Sequence, residues 1–200
     1  MNERQEQWES RYAAVDRLWS EQPNDWLPEF AASWEPGRAL DLGCGEGADA
    51  VWLAERGWEV TGIDLSATAI ARLEAEADRR GLGERVHGVV LDVTREELPA
   101  GPFDLVAAFY VHGGPMPGSL DLIELLGRGA GLVAPGGRLL TAVHCVNPPW
   151  HGHHARTYPP DELLSGLSRA TRDWQVEAGG ERWREVTGPD GEAERRSDAV

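Results

Sequence analysis

The sequence predicts an α/β protein with a doubly wound, mostly parallel sheet and helices on both faces. From residue 38 onward, short apolar segments alternate with segments of helical periodicity, an arrangement typical of parallel sheets. Residues 103–111 (FDLVAAFYV) are almost entirely apolar, as expected of a strand that helices cover on both sides. The chain has 200 residues, of which 41% are hydrophobic, so we expect one domain with a substantial buried core.

The first elements are assigned from apolar periodicity, capping residues and helix breakers. An N-terminal helix is predicted by aromatic and apolar residues at helical spacing, namely Trp8, Tyr12, Val15 and Trp19. The segment EQPNDWLP interrupts this pattern, so the chain is expected to be irregular up to Pro36. A strand at 39–42, a helix at 48–56 and a strand at 59–63 follow. Ser66 is expected to cap a helix that continues to Arg80, with Gly81 directly after its end.

The rest of the chain continues the alternation and then changes character. Three further strands are expected at 85–93, 103–111 and 137–146, with a helix at 120–128. The segment PPDELLSGLSRA predicts a helix that begins with proline. The last segments, WQVEAGGERWREV and EAERRSDAV, flank the turn sequence TGPDG and predict an antiparallel hairpin.

Three glycines, Gly43, Gly45 and Gly47, occupy the turn between the first strand and its helix. Glycine is costly to order, so this spacing indicates a backbone that a ligand must approach closely. Ligands of open parallel sheets bind beyond the carboxyl ends of the strands. The second strand ends at Asp64, whose carboxylate can accept hydrogen bonds from both hydroxyls of a ribose. A ligand that contains a nucleoside is therefore expected at this turn.

Two cofactors compete for the glycine turn. Gly43, Gly45 and Ala48 also fit the dinucleotide pattern, and Asp64 lies at about the expected offset from it. Acidic residues around the turn would repel a pyrophosphate but attract the sulfonium and ammonium of S-adenosylmethionine; they are Asp41, Glu46 and Asp49. Asp92, at the end of the expected third strand, offers an acceptor for an adenine amino group. These residues favour S-adenosylmethionine over NAD.

Residues 38–146 resemble the class I S-adenosylmethionine-dependent methyltransferases. The resemblance rests on five motifs in order, LDLGCGEG, VTGIDLS, VVLDV, FDLVAAFYV and APGGRLL. The opening RYAAVDRLWSEQPNDWL is similar to small bacterial members that are grouped with thiopurine and tellurite methyltransferases. The family implies a seven-stranded sheet in the order 3-2-1-4-5-7-6, with the last strand antiparallel.

The resemblance also implies roles for individual residues. Asp41 and the loop 43–47 are expected to hold the methionine end, and Asp64 the ribose. The adenine is expected to lie beside Leu65, Asp92 and Val93. Residues just after the fourth strand are expected to face the methyl group. Apart from the resemblance, the density of tryptophans before the first strand favours a lid, in which Tyr12 and Trp19 are expected to present an aromatic face to the sulfonium. The full expected cofactor-binding set is Asp41, Gly43, Cys44, Gly45, Gly47, Asp64, Leu65, Ser66, Asp92, Val93, Phe109, Tyr110, Tyr12 and Trp19.

Histidines follow the fourth and fifth strands. His112, in FYVHGGP, is the candidate catalytic residue, as a base or as a group that positions the acceptor. A second group comprises His144, His151, His153 and His154. Its spacing is compatible with a transition metal, but the stretch is rich in proline and glycine and predicts no rigid element, so no metal site is expected. With Arg156 and Tyr158, it is expected to form a loop at the rim of the acceptor pocket.

The expected function is transfer of a methyl group from S-adenosylmethionine to a sulfur, nitrogen or oxygen atom of a small molecule. Two alternatives are a module that binds the cofactor or its demethylated product without turnover, and an NAD-dependent oxidoreductase. The net charge of −15 opposes binding to nucleic-acid phosphates. The identity of the acceptor and the oligomeric state are not predicted.

The expected organisation is a single domain over residues 1–200. Residues 1–36 form a helical cover, 37–147 the cofactor-binding core, and 148–200 an acceptor-side loop, a helix and the hairpin. The N-terminus lacks the apolar core of a signal peptide, and no apolar run reaches the length of a membrane span. The two cysteines lie in unrelated segments. A bacterial protein of the reducing cytoplasm is therefore expected.

Overall fold

The computed structural model describes residues 2–112, 120–149 and 156–200. The helices are α1 (Glu3–Ala13), α2 (Trp26–Ala31), α3 (Ala48–Ala54), α4 (Ala67–Arg79), α5 (Leu122–Ala130) and α6 (Pro160–Leu167). The strands are β1 (Arg38–Leu42), β2 (Glu59–Asp64), β3 (Val86–Val90), β4 (Phe103–Phe109), β5 (Val133–Val146), β6 (Glu181–Thr187) and β7 (Ala193–Ala199). None of the helices in these described ranges has the length and apolar character needed to cross a bilayer.

The strands form one seven-stranded sheet in the order β3-β2-β1-β4-β5-β7-β6, which confirms the predicted order. β1 pairs in parallel with β2 and β4, and β2 pairs in parallel with β3. β7 runs antiparallel to both β5 and β6. The carboxyl ends of β1 and β2 therefore meet at one edge of the sheet, where open α/β folds bind their ligands.

Burial explains why the central strands are apolar along their whole length. Leu105, Val106 and Ala107 are consecutive residues of β4, and all three are fully buried. A strand with only one covered face would expose every second side chain. Removing each of the larger side chains from water contributes about 1.5–3 kcal/mol, so β4 is a central part of the core.

The described residues group into two compact units. The first comprises Phe109 and the residues before it, together with Leu132–Leu140. The second comprises Tyr110–Gly131 and Thr141–Val200. Strand β5 contributes residues to both units, and the glycine turn with all of β1, β2 and β3 belongs to the first.

Capping confirms three of the expected helix boundaries. The Ser66 hydroxyl accepts a hydrogen bond from the backbone N–H of Ala69 at 3.1 Å, which starts α4. Gly81, which follows the C-cap residue Arg80, has a φ of 72°, a conformation that glycine adopts at little cost. Pro160 occupies the first turn of α6, where its missing N–H is not needed.

The N-terminal region differs from the expected long helix. α1 ends at Ala13, so Val15 and Trp19 do not lie on it. Contacts from elsewhere in the fold replace helical hydrogen bonds there: Arg72 donates to the carbonyl of Val15, and Glu46 accepts from the N–H of Trp19. The segment expected to be irregular also contains α2, whose first two side chains are buried. Tertiary contacts have overridden the local periodicity in both places.

Two strands end earlier than expected and one begins earlier. β3 ends at Val90 because Asp92 opens a turn, in which its carbonyl oxygen accepts two backbone hydrogen bonds at 2.9 Å. β4 ends at Phe109 because Tyr110 has a φ of 52°, which cannot continue a strand. β5 begins at Val133, because the carbonyl of the preceding residue already pairs with the first N–H of β4.

Candidate active site

The glycine turn after β1 has a backbone that side chains would obstruct. Positive φ angles of 75°, 53° and 83° occur at Gly43, Gly45 and Gly47. A Cβ on Gly47 would lie 2.0 Å from Cδ1 of the buried Leu73, and one on Gly45 would lie 3.2 Å from Cδ1 of Trp19. The turn therefore brings bare main chain to the carboxyl edge of the sheet, with an aromatic side chain directly against it.

Cys44 lies within this turn, and its thiol is protonated. The backbone N–H groups of Gly43 and Cys44 both donate to the carbonyl of Ile63, at 2.8 and 2.9 Å. Burial raises the pKa of the Cys44 thiol well above 9.0, and the nearby carboxylate of Asp41 adds to the effect. A thiol of this kind is a poor nucleophile, so Cys44 contributes its backbone and its volume to the turn.

Asp41 places a buried carboxylate beneath the turn. Its exposure is only 2%, and its Oδ2 atom has no hydrogen-bond partner within the described ranges. Burial raises the pKa of Asp41 well above 3.8, and the charges of Asp49 and Asp64 raise it further. A buried, unpaired carboxyl group is unfavourable, and a bound cation would relieve that cost.

The other two acidic residues of the loop are already engaged. Both carboxylate oxygens of Glu46 accept backbone N–H groups of the chain between α1 and α2, and Arg72 pairs with Glu46 at 2.7 Å. Asp49 accepts from the backbone N–H and the side-chain amide of Asn24. Burial raises the pKa of Asp49 to about 6, although these two hydrogen bonds act to lower it. Of the three acids, Asp41 is the one left to meet a ligand.

Asp64 is the last residue of β2, and its carboxylate links the glycine turn to the start of α4. One carboxylate oxygen accepts from the N–H of Gly45 at 3.0 Å and the other from the N–H of Ser66 at 2.9 Å. Burial raises the pKa of Asp64 above 3.8 despite these bonds. Each oxygen has a second lone pair, so the half-buried carboxylate retains acceptor capacity. The Ser66 hydroxyl is occupied by capping α4.

A cavity of about 350 Å³ lies at the carboxyl ends of β2 and β3. Its lining includes Leu65 and Asp92, two of the expected adenine neighbours, together with Asn2 and Gln5 of the N-terminal region. The third expected neighbour, Val93, is half-buried just beyond Asp92. The cavity thus places two of the three expected adenine neighbours around a common space, and the start of α1 lines one of its sides.

Asp92 is held in place by several donors. It accepts hydrogen bonds from Thr94, from the Asn2 side chain at 2.9 Å and from Arg4. Burial acts to raise the pKa of Asp92, but these bonds and the charge of Arg4 outweigh it and lower the pKa. Asp92 is therefore both a turn-former and an anchor for α1, and it remains ionised.

Three aromatic residues, Trp8, Tyr12 and Trp19, form a cover over the glycine turn. The indole N–H of Trp19 donates to the Tyr12 hydroxyl at 2.9 Å, and the ring of Trp8 lies 6.0 Å from that of Tyr12. Arg11 lies 4.4 Å above the Trp8 ring. The same guanidinium lies 5.8 Å from the Trp19 ring, so two rings of this aromatic cover already contact a cationic side chain. Its two expected members, Tyr12 and Trp19, meet each other against Gly45.

A separate polar cluster in the second unit surrounds Asp198 of β7. The carboxylate is fully buried, lies 2.9 Å from Nδ1 of His144, and accepts from the Tyr110 hydroxyl and from Nε of Arg184, each also at 2.9 Å. The His144 ring lies 4.6 Å from that of Tyr110 and 4.9 Å from that of His112. We call these five residues the His144 cluster.

Charge and burial fix the protonation of this cluster. Burial alone would raise the pKa of Asp198, but the bonds from His144 and Tyr110 and the charge of Arg184 hold it at about 2. Burial lowers the pKa of His144 below 6.5; Arg196 and Arg184 act in the same direction, whereas Asp198 opposes them. The pair is therefore a carboxylate and a neutral imidazole at neutral pH.

The structure brings some of the expected site residues together and reveals others that the sequence did not predict. His112, the expected catalytic residue, and Tyr110, expected to bind the cofactor, lie together in the His144 cluster, and Phe109, also expected to bind the cofactor, is buried at the end of β4. Sequence patterns missed Asp198 and Arg184, because no local motif marks a contact across 54 residues. His151, His153 and His154 lie outside the described residues. Within the described ranges, no three His, Cys, Asp or Glu side chains are grouped to bind a metal ion.

Comparison with known sequences identifies a methyltransferase domain. Residues 39–137 match a family model described as a methyltransferase domain. The chain is 32% identical, over 158 residues, to the ubiquinone biosynthesis O-methyltransferase of Alkalilimnicola ehrlichii. That alignment covers 76% of this chain and 58% of the relative, and a similar relative from Bradyrhizobium is covered over 51% of its length. The chain thus spans little more than half the length of these curated relatives.

Comparison with solved structures extends the similarity to the fold. TehB from Haemophilus influenzae superimposes with a TM-score of 0.70 at 19% identity, over 88% of this chain and 60% of that chain. A structure from work on the conversion of a disulfide bond into a thioacetal group in echinomycin biosynthesis gives 0.66 at 22% identity. It covers 98% of this chain and 90% of the other.

The family model matches the central part of the chain, and the structural matches extend over most of it. The matching domain begins in β1 and contains the glycine turn, Asp64, Asp92 and β4. The strand order 3-2-1-4-5-7-6 is the one that the resemblance to this family implies. The chain therefore belongs to the class I S-adenosylmethionine-dependent methyltransferases.

Proposed function

We propose that this protein binds S-adenosylmethionine in its first unit and transfers the methyl group to a small-molecule acceptor. The observation that carries the proposal is the buried Asp41 carboxylate, whose Oδ2 atom has no partner within the described ranges, beneath a turn of bare main chain. The ammonium of the methionine end would supply the missing partner. The residues present therefore fit this cofactor, which supplies an electrophilic methyl group when bound.

The same residues oppose the NAD alternative. A dinucleotide would bring a pyrophosphate to a turn where Asp41, Glu46 and Asp49 are all buried. Like charges in a region of low dielectric repel strongly, and here the loop offers backbone N–H groups but no basic side chain. The acidic environment favours a cationic ligand instead.

Other parts of the first unit suit the remaining groups of the cofactor. The spare acceptor capacity of Asp64 suits the two ribose hydroxyls, and the cavity of about 350 Å³ beside Leu65 and Asp92 suits an adenine. Because Asn2 and Gln5 also line that cavity, α1 contributes to adenine binding. Binding there would stabilise the N-terminal segment.

The protein's own contribution to methyl transfer is positioning and exclusion of water. Holding two reactants in the reactive geometry can supply about 7–11 kcal/mol of the barrier. The aromatic cover shields the turn from solvent on one side, and its electron-rich faces attract a cation. A small-molecule acceptor is supported by the relative from Alkalilimnicola ehrlichii, whose name places its O-methylation in ubiquinone biosynthesis. The net charge of −15 disfavours a nucleic-acid acceptor.

Thermal unfolding with three ligands tests the cofactor assignment. We expect S-adenosylmethionine and S-adenosylhomocysteine to raise the melting temperature, because a ligand at one hundred times its Kd adds about 2.7 kcal/mol of stability. NAD should leave the melting temperature unchanged. Stabilisation by NAD alone would reverse the assignment.

Transfer of a labelled methyl group tests the activity. Wild-type protein is incubated with methyl-labelled S-adenosylmethionine and a panel of thiols, amines and phenols, and the products are separated. Asp64→Asn should weaken cofactor binding by about tenfold, because it weakens charge-assisted hydrogen bonds to the ribose. Asp173→Asn, at an exposed position of the second unit, is the matched control. Tight cofactor binding with no labelled product from any acceptor would indicate a binding module.

A further inference from the structure

The methionine end of the proposed cofactor carries a carboxylate, and the glycine turn is an unfavourable place for one. The buried acids Asp41, Glu46 and Asp49 lie in and beside the turn, so a further negative charge brought there is repelled. A carboxylate is bound in such surroundings only where cations or hydrogen-bond donors meet it. The donors beside the turn therefore decide how the amino-acid end of the ligand is held.

Most backbone donors of the turn are already engaged within the protein. Their acceptors are the carbonyls of Ile63 and Cys44 and the carboxylate of Asp64, and the donors are the N–H groups of Gly43, Cys44, Gly45 and Gly47. Arg72 of α4 is engaged as well, because it pairs with Glu46 and donates to two carbonyls of the N-terminal region. Further donors have to come from another element, and α1 packs against α4.

Arg11 of α1 places a guanidinium on the aromatic cover. It lies 4.4 Å from the ring centroid of Trp8 and 5.8 Å from that of Trp19, and among the residues that the structure describes it has no hydrogen bond or ion pair. Trp19 in turn contacts the position of Gly45. Stacking uses the face of a guanidinium, so its N–H groups, which lie in the plane, stay available for a carboxylate that accepts two of them.

The Tyr12 hydroxyl is a second donor that α1 brings to the turn. Tyr12 is only 2% exposed, and its oxygen would lie 3.3 Å from a Cβ on Gly45. The hydroxyl accepts from the indole N–H of Trp19 at 2.9 Å, but its own proton has no acceptor within the described ranges. Burial and the charge of Asp64 raise the pKa of Tyr12, so the hydroxyl stays protonated. A buried donor without an acceptor is costly, and a ligand oxygen would remove that cost.

Contacts along α1 hold both donors in place before a ligand binds. The Glu9 carboxylate accepts the backbone N–H groups of Ala67 and Thr68 at the start of α4, and the Gln5 amide donates to the carbonyl of Leu65 at 3.3 Å. All of these residues belong to the first unit, as does the glycine turn. Donors fixed in this way lose little freedom when they bind a ligand.

We propose that Arg11 and Tyr12 form the subsite for the carboxylate of the methionine end, Arg11 through a charge-assisted pair and Tyr12 through its hydroxyl proton. This inference rests on the proposed function and adds a second charged contact to that of Asp41. The amino-acid end of the ligand is a zwitterion, whose ammonium meets Asp41 while its carboxylate meets α1. Binding of the carboxylate also ties the aromatic cover to the ligand, because Tyr12 is part of that cover and Arg11 stacks on it.

Two ligands that differ only in this carboxylate separate a binding role from a structural one. One is S-adenosylhomocysteine. The other is decarboxylated S-adenosylhomocysteine, in which hydrogen replaces the carboxylate while the amine, the thioether and the nucleoside remain. Calorimetric titration of wild type should show about 10- to 100-fold tighter binding of the first ligand, because charge-assisted hydrogen bonds are absent with the second.

Variants of the two donors should remove this preference for the carboxylate. Arg11→Gln and Tyr12→Phe should each weaken the binding of S-adenosylhomocysteine by about tenfold, and each should leave the affinity for the decarboxylated ligand nearly unchanged. Tyr12→Phe also removes the acceptor of the Trp19 N–H; a loosened cover would weaken both ligands alike, so the ratio of the two affinities isolates the carboxylate contact. Arg79→Gln removes an exposed positive charge of α4 and should match wild type with both ligands.

The outcomes distinguish this inference from the proposed function. Equal affinity of wild type for the two ligands would overturn the inference and leave the proposed function intact. Equal weakening of both ligands by Arg11→Gln or by Tyr12→Phe would do the same, because it assigns the residue a structural role. Binding of neither ligand to wild type would overturn the proposed function, and the inference with it.

Discussion

The Asp41 carboxylate is buried without a compensating cation, and this costs free energy in the cofactor-free protein. Burial and the neighbouring charges of Asp49 and Asp64 raise its pKa, so the folded protein binds protons that the unfolded chain would release. The same burial and neighbouring negative charges that destabilise the cofactor-free protein favour the binding of a cationic ligand. Function and stability are therefore opposed at this residue.

The pH dependence of stability follows from the raised pKa values. For Asp49 the pKa rises from 3.8 to about 6 on folding, and an acid with a raised pKa loses stabilising free energy as pH rises through that interval. The cofactor-free protein should therefore be more stable at about pH 5 than at about pH 7. Asp41→Asn should be more stable than wild type near pH 7 and show a weaker dependence. Thermal unfolding across this range checks both, and a wild type that becomes more stable on approaching pH 7 would contradict them.

Alanine substitutions at two glycines with positive φ distinguish the cost of backbone strain from the cost of a packing clash. Gly47 and Gly81 have φ angles of 83° and 72°, but a Cβ would clash with Leu73 at Gly47 and meet nothing within 4 Å at Gly81. Gly81→Ala should cost about 1 kcal/mol from backbone strain alone. Gly47→Ala should cost about 1–3 kcal/mol more, because the buried Leu73 must shift. Urea denaturation measures both, and equal losses would show that packing at Gly47 is unimportant.

At the scale of elements, the chain between α1 and α2 is held by one buried ion pair. Glu46, with 1% of its side chain exposed, accepts two backbone N–H groups of this segment, and Arg72 joins Glu46 to its carbonyls. This arrangement explains why α1 stops at Ala13, since hydrogen bonds that would have extended the helix are made to α4 and the glycine turn instead. The aromatic cover depends on the same contacts.

Removing the arginine of this pair should loosen the cover. Arg72→Gln should destabilise the protein by about 2–4 kcal/mol, because it leaves the buried Glu46 without its partner. Arg79→Gln on the same helix removes an exposed pair with Glu76 and should cost less than about 1 kcal/mol. Hydrogen exchange of the Leu18 and Trp19 amides, which donate to Glu46, should accelerate in the first variant alone. Unchanged protection there would contradict this account of the cover.

Local sequence signals predicted some element boundaries, whereas contacts between residues distant in the chain set others. The α4 boundaries were predictable because Ser66 and Gly81 are local capping signals. The end of α1 was not, since it depends on a partner distant in the chain, Arg72. The glycine turn and Asp64 were found from a motif, whereas the Asp198 partner of His144 arises only when β7 folds beside β5.

At the scale of the whole molecule, each of the two compact units contains its own polar cluster. The first unit contains the residues proposed to bind the cofactor: the glycine turn, Asp41, Asp64 and the cavity beside Asp92. The second contains the His144 cluster, built from the ends of β5 and β7 and from β6. The fold is shared with TehB from Haemophilus influenzae, and a shared fold does not by itself determine the acceptor.

Calorimetric titration of S-adenosylhomocysteine into wild type and Asp41→Asn tests the central claim most directly. The claim is that a buried carboxylate under a bare backbone turn holds the cationic methionine end. Wild type should bind the ligand, and Asp41→Asn should bind it about 10- to 100-fold more weakly, since a charge-assisted hydrogen bond contributes about 1.5–3 kcal/mol. Asp173→Asn should match wild type. Equal affinity of wild type and Asp41→Asn, or no binding to wild type at all, would contradict the account.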